Sequence, residues 1–519
     1  MGIAVQLNPF MKVLLAMVKN SPYNNRFFFL AALCLLLPVY LTALELPESG
    51  LNSLNYHTYL DDVVIFPAAD NRISKTIELS DFFELLLVYP HASISYNSAY
   101  PRGQNDGALW QGRGANYSAY TGAVIQTSFF RLALVPTIYW SDNLDFPFIN
   151  GKAETNYYSN TWYIYDYVQR YGETAYRGFD LGWSDLRFFY KSITLGFSHD
   201  SIWLGPSIIN PIILAPNAPG FFHLDIGTLG AIPTKIGLVE ARTFWGVLDE
   251  SDYFDENANN DSRLITGLSM SYSPKWFSEF SFGFNRVFTT YWVPFTWAPK
   301  KFFQLWEPFF KSKLISNDNP KGLDEADQIF SITGEYNGMD DFRFYFEWAR
   351  NDHALNVEYF LLAPENSHAF TLGFAKTYTF PSLDFGLQIA GEITSTEGGR
   401  TAIPVGPWYI HNDPTQGYTN SGQLLGAGIG SGASSQYVSL GAVGPVADVA
   451  LYAYRVKRNN DVYIKLFAPW HRDAFIDVEM SIGIESSFAV SNHFRIFCDG
   501  VYSKNFNRDF RLDYTVDGE

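Results

Sequence analysis

The chain has 519 residues, a formal net charge of −17, and 18% aromatic residues inside a hydrophobic fraction of only 47%. So acidic a chain has no electrostatic footprint for a phosphate backbone, which excludes nucleic acid as a partner. Cys34 and Cys498 are the only cysteines, so disulfides do not organise the fold, and neither H-E-x-x-H nor a cysteine-rich zinc spacing occurs. The sequence calls for no cofactor and no metal.

Residues 1–44 read as an export leader. Lys19 and Arg26 precede an unbroken apolar run from Phe27 to Leu37, and Leu41-Thr42-Ala43 offers a cleavage site. The run is shorter than the roughly 20 residues a spanning helix needs. Residues 45–90 are the least regular part, with Leu60 to Phe66 and Phe82 to Tyr89 as short apolar pieces, and are read as plug, early strand or periplasmic segment.

From 91 to 519 the dominant signal is strict alternation, which puts lipid on one side of a strand and water on the other. Phe342, Phe344, Phe346 and Trp348 alternate with Arg343, Tyr345, Glu347 and Ala349. Leu383, Phe385, Leu387 and Ile389 alternate with Asp384, Gly386, Gln388 and Ala390, and Ile476 to Ile484 alternate with Asp477 to Glu485. Phe280, Phe282 and Phe284 return opposite Glu279, Ser281 and Gly283 after the turn at Ser273-Pro274-Lys275. Several segments keep the pattern for nine or more residues, close to the roughly 9 to 11 that cross a bilayer, whereas globular strands are nearer 5 or 6. The fold class is therefore all-β, a transmembrane antiparallel up-and-down barrel. Short turns at 273–275, 337–341, 380–382 and 487–493 are read as periplasmic; 142–160, 249–261, 291–310, 351–367 and 396–436 are read as external loops.

Enzyme signals are weak. Ser198-His199-Asp200 holds the residue types of a triad, but neighbours on an extended strand point to opposite faces. Gly426 to Gly432 is glycine-rich without a βαβ context and reads as a flexible loop. The acidic stretch Asp249 to Asp261 lacks the EF-hand glycine and reads as solvated. Carbohydrate binding fits better, because sugars offer C–H faces to aromatic rings and hydroxyls to amides and carboxylates. One candidate is the aromatic stretch with Trp292, Trp297 and Trp306, interleaved with Lys300 and Lys301; its competing reading is an interfacial girdle. The other is the loop with Trp408, His411, Asn412, Asp413 and Tyr418.

Two further stretches stand out. Asn105-Asp106-Gly107 leads through Trp110, Gly112 and Gly114, and Trp203-Leu204-Gly205-Pro206 is followed by Asn217-Ala218-Pro219-Gly220-Phe221-Phe222-His223. Their Asn, Asp, Gly and Pro residues suit structured turns that pin an in-turned loop, and their amides suit sugar contact. They resemble the N-D-G-x-x-W-x-G-x-G, W-W-G-P and N-A-P-x-F-P-H motifs of the Wzi-type capsule assembly family of outer-membrane proteins, and the resemblance runs from about residue 90 to the last strands. Leu204 stands where that family often has a second Trp, and Phe222 where it often has Pro.

The resemblance implies a single-chain barrel of about eighteen strands in the cell outer membrane, without catalysis, that organises capsular or other surface polysaccharide in a lectin-like way. Its implied partners are that polysaccharide, outer-membrane lipid and, during biogenesis, the barrel assembly machinery. A porin or diffusion channel is the alternative, and an outer-membrane hydrolase a more distant one.

Overall fold

The computed structural model describes residues 73–80, 83–149, 157–160, 162, 165–297, 299–306, 326–338, 341–352, 356–380, 382, 385–398, 406–466, 476–491 and 494–510. The leader read over 1–44 lies outside them, as does the segment from 45 to 72.

The strands, in chain order, are β1 (Ile73–Ser80), β2 (Phe83–Asn97), β3 (Gly114–Gln126), β4 (Phe130–Leu134), β5 (Thr137–Ser141), β6 (Tyr176–Asp180), β7 (Asp185–Tyr190) and β8 (Ile193–Ser198). They continue with β9 (His223–Thr228), β10 (Ile232–Pro233), β11 (Gly237–Asp249), β12 (Ser262–Pro274), β13 (Phe280–Tyr291), β14 (Asp327–Gly338), β15 (Phe342–Asn351), β16 (His368–Phe380) and β17 (Phe385–Ser395). The last are β18 (Thr419–Asn420), β19 (Gln423–Leu424), β20 (Ser434–Val443), β21 (Ala447–Lys457), β22 (Val478–Ser491) and β23 (Phe494–Phe506). All but the small β18–β19 hairpin belong to one 21-stranded sheet. Each strand pairs antiparallel with its neighbour along the chain, except that β17 pairs with β20 across the hairpin and the broken strands pair piecewise.

Three crossings are broken in two. β4 and β5 are separated at Val135-Pro136, and their partners β7 and β6 break at the same height. Proline has no N–H for the ladder, and the freed Val135 N–H donates instead to Ser184 Oγ at 2.9 Å. β9 and β10 both pair with β11. With each broken pair counted once, the sheet makes eighteen crossings among the described residues. It curls so far round that the His91 ring on β2 lies 6.3 Å from that of Phe497 on β23.

Burial is inside out. On β15, Phe344 and Phe346 are exposed while Arg343, Tyr345, Glu347 and Ala349 are buried. The same alternation exposes Leu195 and Phe197 on β8, Leu224 and Ile226 on β9, and Met480, Ile482 and Ile484 on β22. Water would not tolerate an apolar belt running right round the sheet; a bilayer supplies its partner. Inside lies an ionic wall. Arg187 grips Asp225 through two 2.8 Å bonds and Thr194 through a third at 2.7 Å, and Arg242 reaches the same carboxylate.

Of the residues read as plug, early strand or periplasmic segment, 73–80 form β1 and 83–90 belong to β2, which continues past residue 90 to Asn97. The apolar residues Leu85 to Val88 do not alternate because Leu86, Leu87 and Val88 are all buried there. Strands joined by the short connections 275–279, 339–341, 381–384 and 492–493 meet at one end of the sheet, and the long connections 98–113, 142–175, 199–222, 250–261, 292–326, 352–367, 396–433 and 458–477 leave and rejoin it at the opposite, loop end.

Candidate functional site

Two of these connections turn inward. Between β8 and β9, residues 199–222 drop into the lumen as a loop closed by a Leu204–Leu214 bridge, with the Leu204 N–H donating to the Leu214 carbonyl at 3.0 Å. Ile202, Leu204, Ile212, Ile213, Leu214, Ala218 and Phe221 form a buried apolar cluster with Trp408, Tyr409, Tyr418, Leu424, Leu425, Ala427 and Ile429 of the second segment, 406–433. An apolar plug in a polar lumen satisfies its backbone through wall side chains. Glu392 on β17 accepts the N–H groups of Ile208 (2.7 Å), Ile209 (3.1 Å) and Asn210 (2.8 Å), and the Tyr345 hydroxyl at 2.7 Å. Glu347 accepts the Ile212 N–H at 3.2 Å, and Arg343 donates to the Pro206 carbonyl at 2.9 Å. Gly205 has φ +112, and a Cβ there would meet the Glu347 carboxylate at 2.9 Å, so this turn needs glycine.

The sequence motifs meet at the loop-end mouth of this plug. The Asn105 N–H donates to Asn217 Oδ1 at 2.8 Å, the Gly107 N–H to the Pro216 carbonyl at 2.7 Å, and Asn217 Nδ2 to the Gly426 carbonyl at 2.8 Å. Asn217 thus staples three separate segments. Asn97 Nδ2 holds the Arg102, Gln111 and Gly112 carbonyls, Asn116 Nδ2 holds those of Gly112 and Gly114, and the Gly112 N–H donates to Ser141 Oγ. Trp110 packs edge-on to Tyr171, with centroids 5.2 Å apart. His223 is buried where the in-turned loop rejoins the wall at the start of β9, its Nδ1 2.9 Å from the Phe221 carbonyl. Ala218 is buried in the plug, and the Pro219 carbonyl accepts from Asn420 Nδ2 at 3.1 Å.

Gly426 to Gly432 is a correction: the expected flexible loop is part of the packed interior. Ala427 and Ile429 are buried, and a Cβ on Gly426 would lie 2.6 Å from the Tyr409 hydroxyl, which donates to the Ile212 carbonyl and accepts the Ala427 N–H. Glycine here serves close approach.

These staples leave a polar pocket of about 220 Å³ at the mouth. Gln104, Asn105, Asp106, Gln111, Gln169, Asn217 and Gln423 bring amides and a carboxylate to its lining; Tyr165 and Tyr167, ring-stacked at 5.5 Å, and Trp110 bring aromatic surface. Arg102, Arg458 and Arg508 bring cations. Glu479 on β22 ties two of them, to Arg458 at 2.8 Å and Arg102 at 3.3 Å. Burial pushes the Asp106 carboxyl up to about 6, against the bonds from Gln111 and the Gln104 N–H and the charge of Arg102, which pull it back.

The aromatic candidates are scattered. Trp408 and Tyr418 are fully enclosed in the plug, Trp408 Nε1 donating to the His368 carbonyl and Tyr418 stacked on Tyr409 at 5.8 Å. Neither ring keeps a face for a sugar, which corrects that part of the sequence reading. His411 and Asp413 are half-buried and bonded to each other, and Asn412 is exposed. Trp292 sits outside the wall, against the apolar belt, while Trp297 and Trp306 are 80% and 79% exposed in the same lobe. Sequence reasoning missed Arg102, Tyr165, Tyr167, Gln169, Arg458, Glu479 and Arg508. Only Glu479 carried a signal, as a carboxylate on the inward face of an alternating strand.

No family model matches the chain, and no curated relative does. Solved structures do. Wzi, an outer-membrane protein involved in group 1 capsule assembly in Escherichia coli and described as a carbohydrate-binding β-barrel, aligns at 14% identity over 83% of this chain and 81% of its own, with a TM-score of 0.52. OccAB3 of Acinetobacter baumannii aligns at 8% identity over 82% of this chain and 93% of its own, TM-score 0.40. OprB of Pseudomonas putida aligns at 10% identity over 81% and 94%, TM-score 0.36. The chain has the fold of the outer-membrane β-barrels.

Proposed function

We propose that this chain is a non-catalytic outer-membrane barrel that holds surface polysaccharide at its loop-end mouth, with residues 1–44 as its export leader and the long loops outside. The observation that carries this reading is the pair of in-turned segments. A lumen filled by an apolar cluster hydrogen-bonded to Glu392, Glu347 and Arg343 suits a binding protein better than a diffusion channel. The polar pocket above the plug supports the same reading, since amides, paired charges and tyrosine rings are the groups that match sugar hydroxyls and C–H faces. One weak site per barrel suffices when many barrels face one polymer, because linkage raises the effective concentration.

Arg102→Ala with Arg508→Ala tests it, both side chains being about one-third exposed and removable without opening the plug. Cells carrying the folded double variant should release polysaccharide into the medium while still making it. Normal retention together with sustained single-channel conductance of the purified wild-type barrel would replace this reading with the porin.

A further inference from the structure

We infer that the outer wall carries a binding groove for an acyl chain of a phosphorylated glycolipid of the outer leaflet, separate from the polar mouth. The described part of the connection after β13, residues 292–297 and 299–306, does not rise away from the rim but lies against the outside of the sheet. Trp245, on the outward face of β11, donates through Nε1 to the Phe302 carbonyl at 2.7 Å and pins the lobe there. Beneath it the outward-facing Leu264, Thr266 and Phe288 are 1% exposed, although their counterparts further round the wall, such as Ile332 and Leu372, are open. The lobe also covers an arginine on the lipid side: Arg286 donates to the Leu305 carbonyl and Gln328, with its guanidinium 4.6 Å above the Phe288 ring.

Between lobe and wall runs a groove of about 470 Å³, within the size range of small-ligand sites. Phe197, Phe222, Leu224 and Val247 form its wall side, and Trp292 and Phe303 its lobe side. Its lining is almost wholly apolar and continues the exposed belt of β8 and β9, so it opens toward hydrocarbon. Lys300 and Lys301 precede Phe302 on a short helical turn, on a chain that is otherwise strongly acidic. Both adjoin Phe302 and Phe303 of the groove lining, and Lys301 Nζ donates to Thr290 Oγ1 at 3.4 Å, one residue from the loop end of β13; cations there beside an apolar slot match a lipid whose phosphate sits at the interface and whose chain descends into the membrane. The assignment rests on the outer-membrane reading with the loop end outward, but not on the glycan site.

Native mass spectrometry of the full chain from discs of phosphatidylethanolamine, with and without a bis-phosphorylated hexa-acyl glycolipid, tests the inference. A one-to-one glycolipid adduct is expected that survives removal of bulk lipid. Val247→Trp, which fills the slot, should reduce the adduct at least tenfold, and Lys300→Gln with Lys301→Gln several-fold. Phe303→Asp, on the exposed lobe, repeats the test should Val247→Trp not fold. No adduct, an equal phosphatidylethanolamine adduct, or an adduct indifferent to both groove variants overturns the groove. Polysaccharide retention measured on the same variants should stay normal, so that a failed groove and a failed glycan site are told apart.

Discussion

Replacing Glu392 by Gln should loosen the tip of the in-turned loop without unfolding the barrel. Its Oε2 accepts the Ile208 and Ile209 N–H groups and the Tyr345 hydroxyl, and its Oε1 accepts the Asn210 N–H. An amide keeps one acceptor oxygen. Three of the four bonds then fall from charge-assisted to neutral, a loss of about 1 kcal/mol each, and the amide NH₂ opposes the Asn210 N–H, leaving a donor unmet at about 1–2 kcal/mol. The sum is about 4 kcal/mol; water entering the polar lumen offsets part of it. At 1.4 kcal/mol per decade, the Ile208, Ile209 and Asn210 amides should exchange with deuterium about 10² to 10³ times faster. The strands should not change, because Asn210 Nδ2 still reaches Tyr454 (3.1 Å) and Ser435 (3.2 Å) from the far side. Hydrogen-exchange mass spectrometry of 204–214 against β17 reads both quantities. Less than a tenfold change at the tip, or equal acceleration in β17, would refute the view that the Glu392 carboxylate fastens the tip of the loop.

Other expectations follow from the same geometry. Phe346→Arg puts a charge on the lipid face halfway along β15 and should cost about 2–4 kcal/mol, whereas Glu347→Gln on the inner face keeps an acceptor for Ile212 and should cost less than half of that; equal loss of heat-modifiable folding would refute the assigned faces. A tag inserted within 250–260 should be reached on intact cells and one at 339–340 should not, and the opposite labelling would invert the barrel. Asp106 has its folded pKa raised from 3.8 to about 6 by burial, so the folded pocket holds this proton more tightly than the unfolded chain does. Its contribution to stability is therefore present at acid pH and lost as pH rises from about 4 to 6. Hydrogen exchange around Gly107, corrected for intrinsic rates, should show that loss in the wild type, and a similar slope in Asp106→Asn would assign it to another group.

Period-2 alternation reported the wall because it is a local consequence of facing lipid and lumen at once. Phe344 and Glu347 could be assigned to opposite faces from their neighbours alone. Where a strand is buried on both sides, as at Leu86 to Val88, or broken by Pro136, the pattern fails. The plug was less legible for a different reason. Ile212-Ile213-Leu214 is a short apolar run with no periodicity of its own, and its meaning lies in wall carboxylates far along the chain: Glu392 is 184 residues from Ile208. Asn105 and Asn217 were recognisable as turn formers, yet nothing local says that one amide donates to the other. The pocket is more distributed still, since Arg102 meets Glu479 across 377 residues and Tyr165 arrives from a connection without any motif. The aromatic lobe shows the converse: its composition was plain in the sequence, but rings that stack on sugar and rings that sit in lipid look alike until the backbone decides which side of the wall they occupy. Here a single bond from Trp245 to the Phe302 carbonyl puts the slot between lobe and wall on the lipid side, and that side, more than the aromatic content, determines what chemistry the slot can meet.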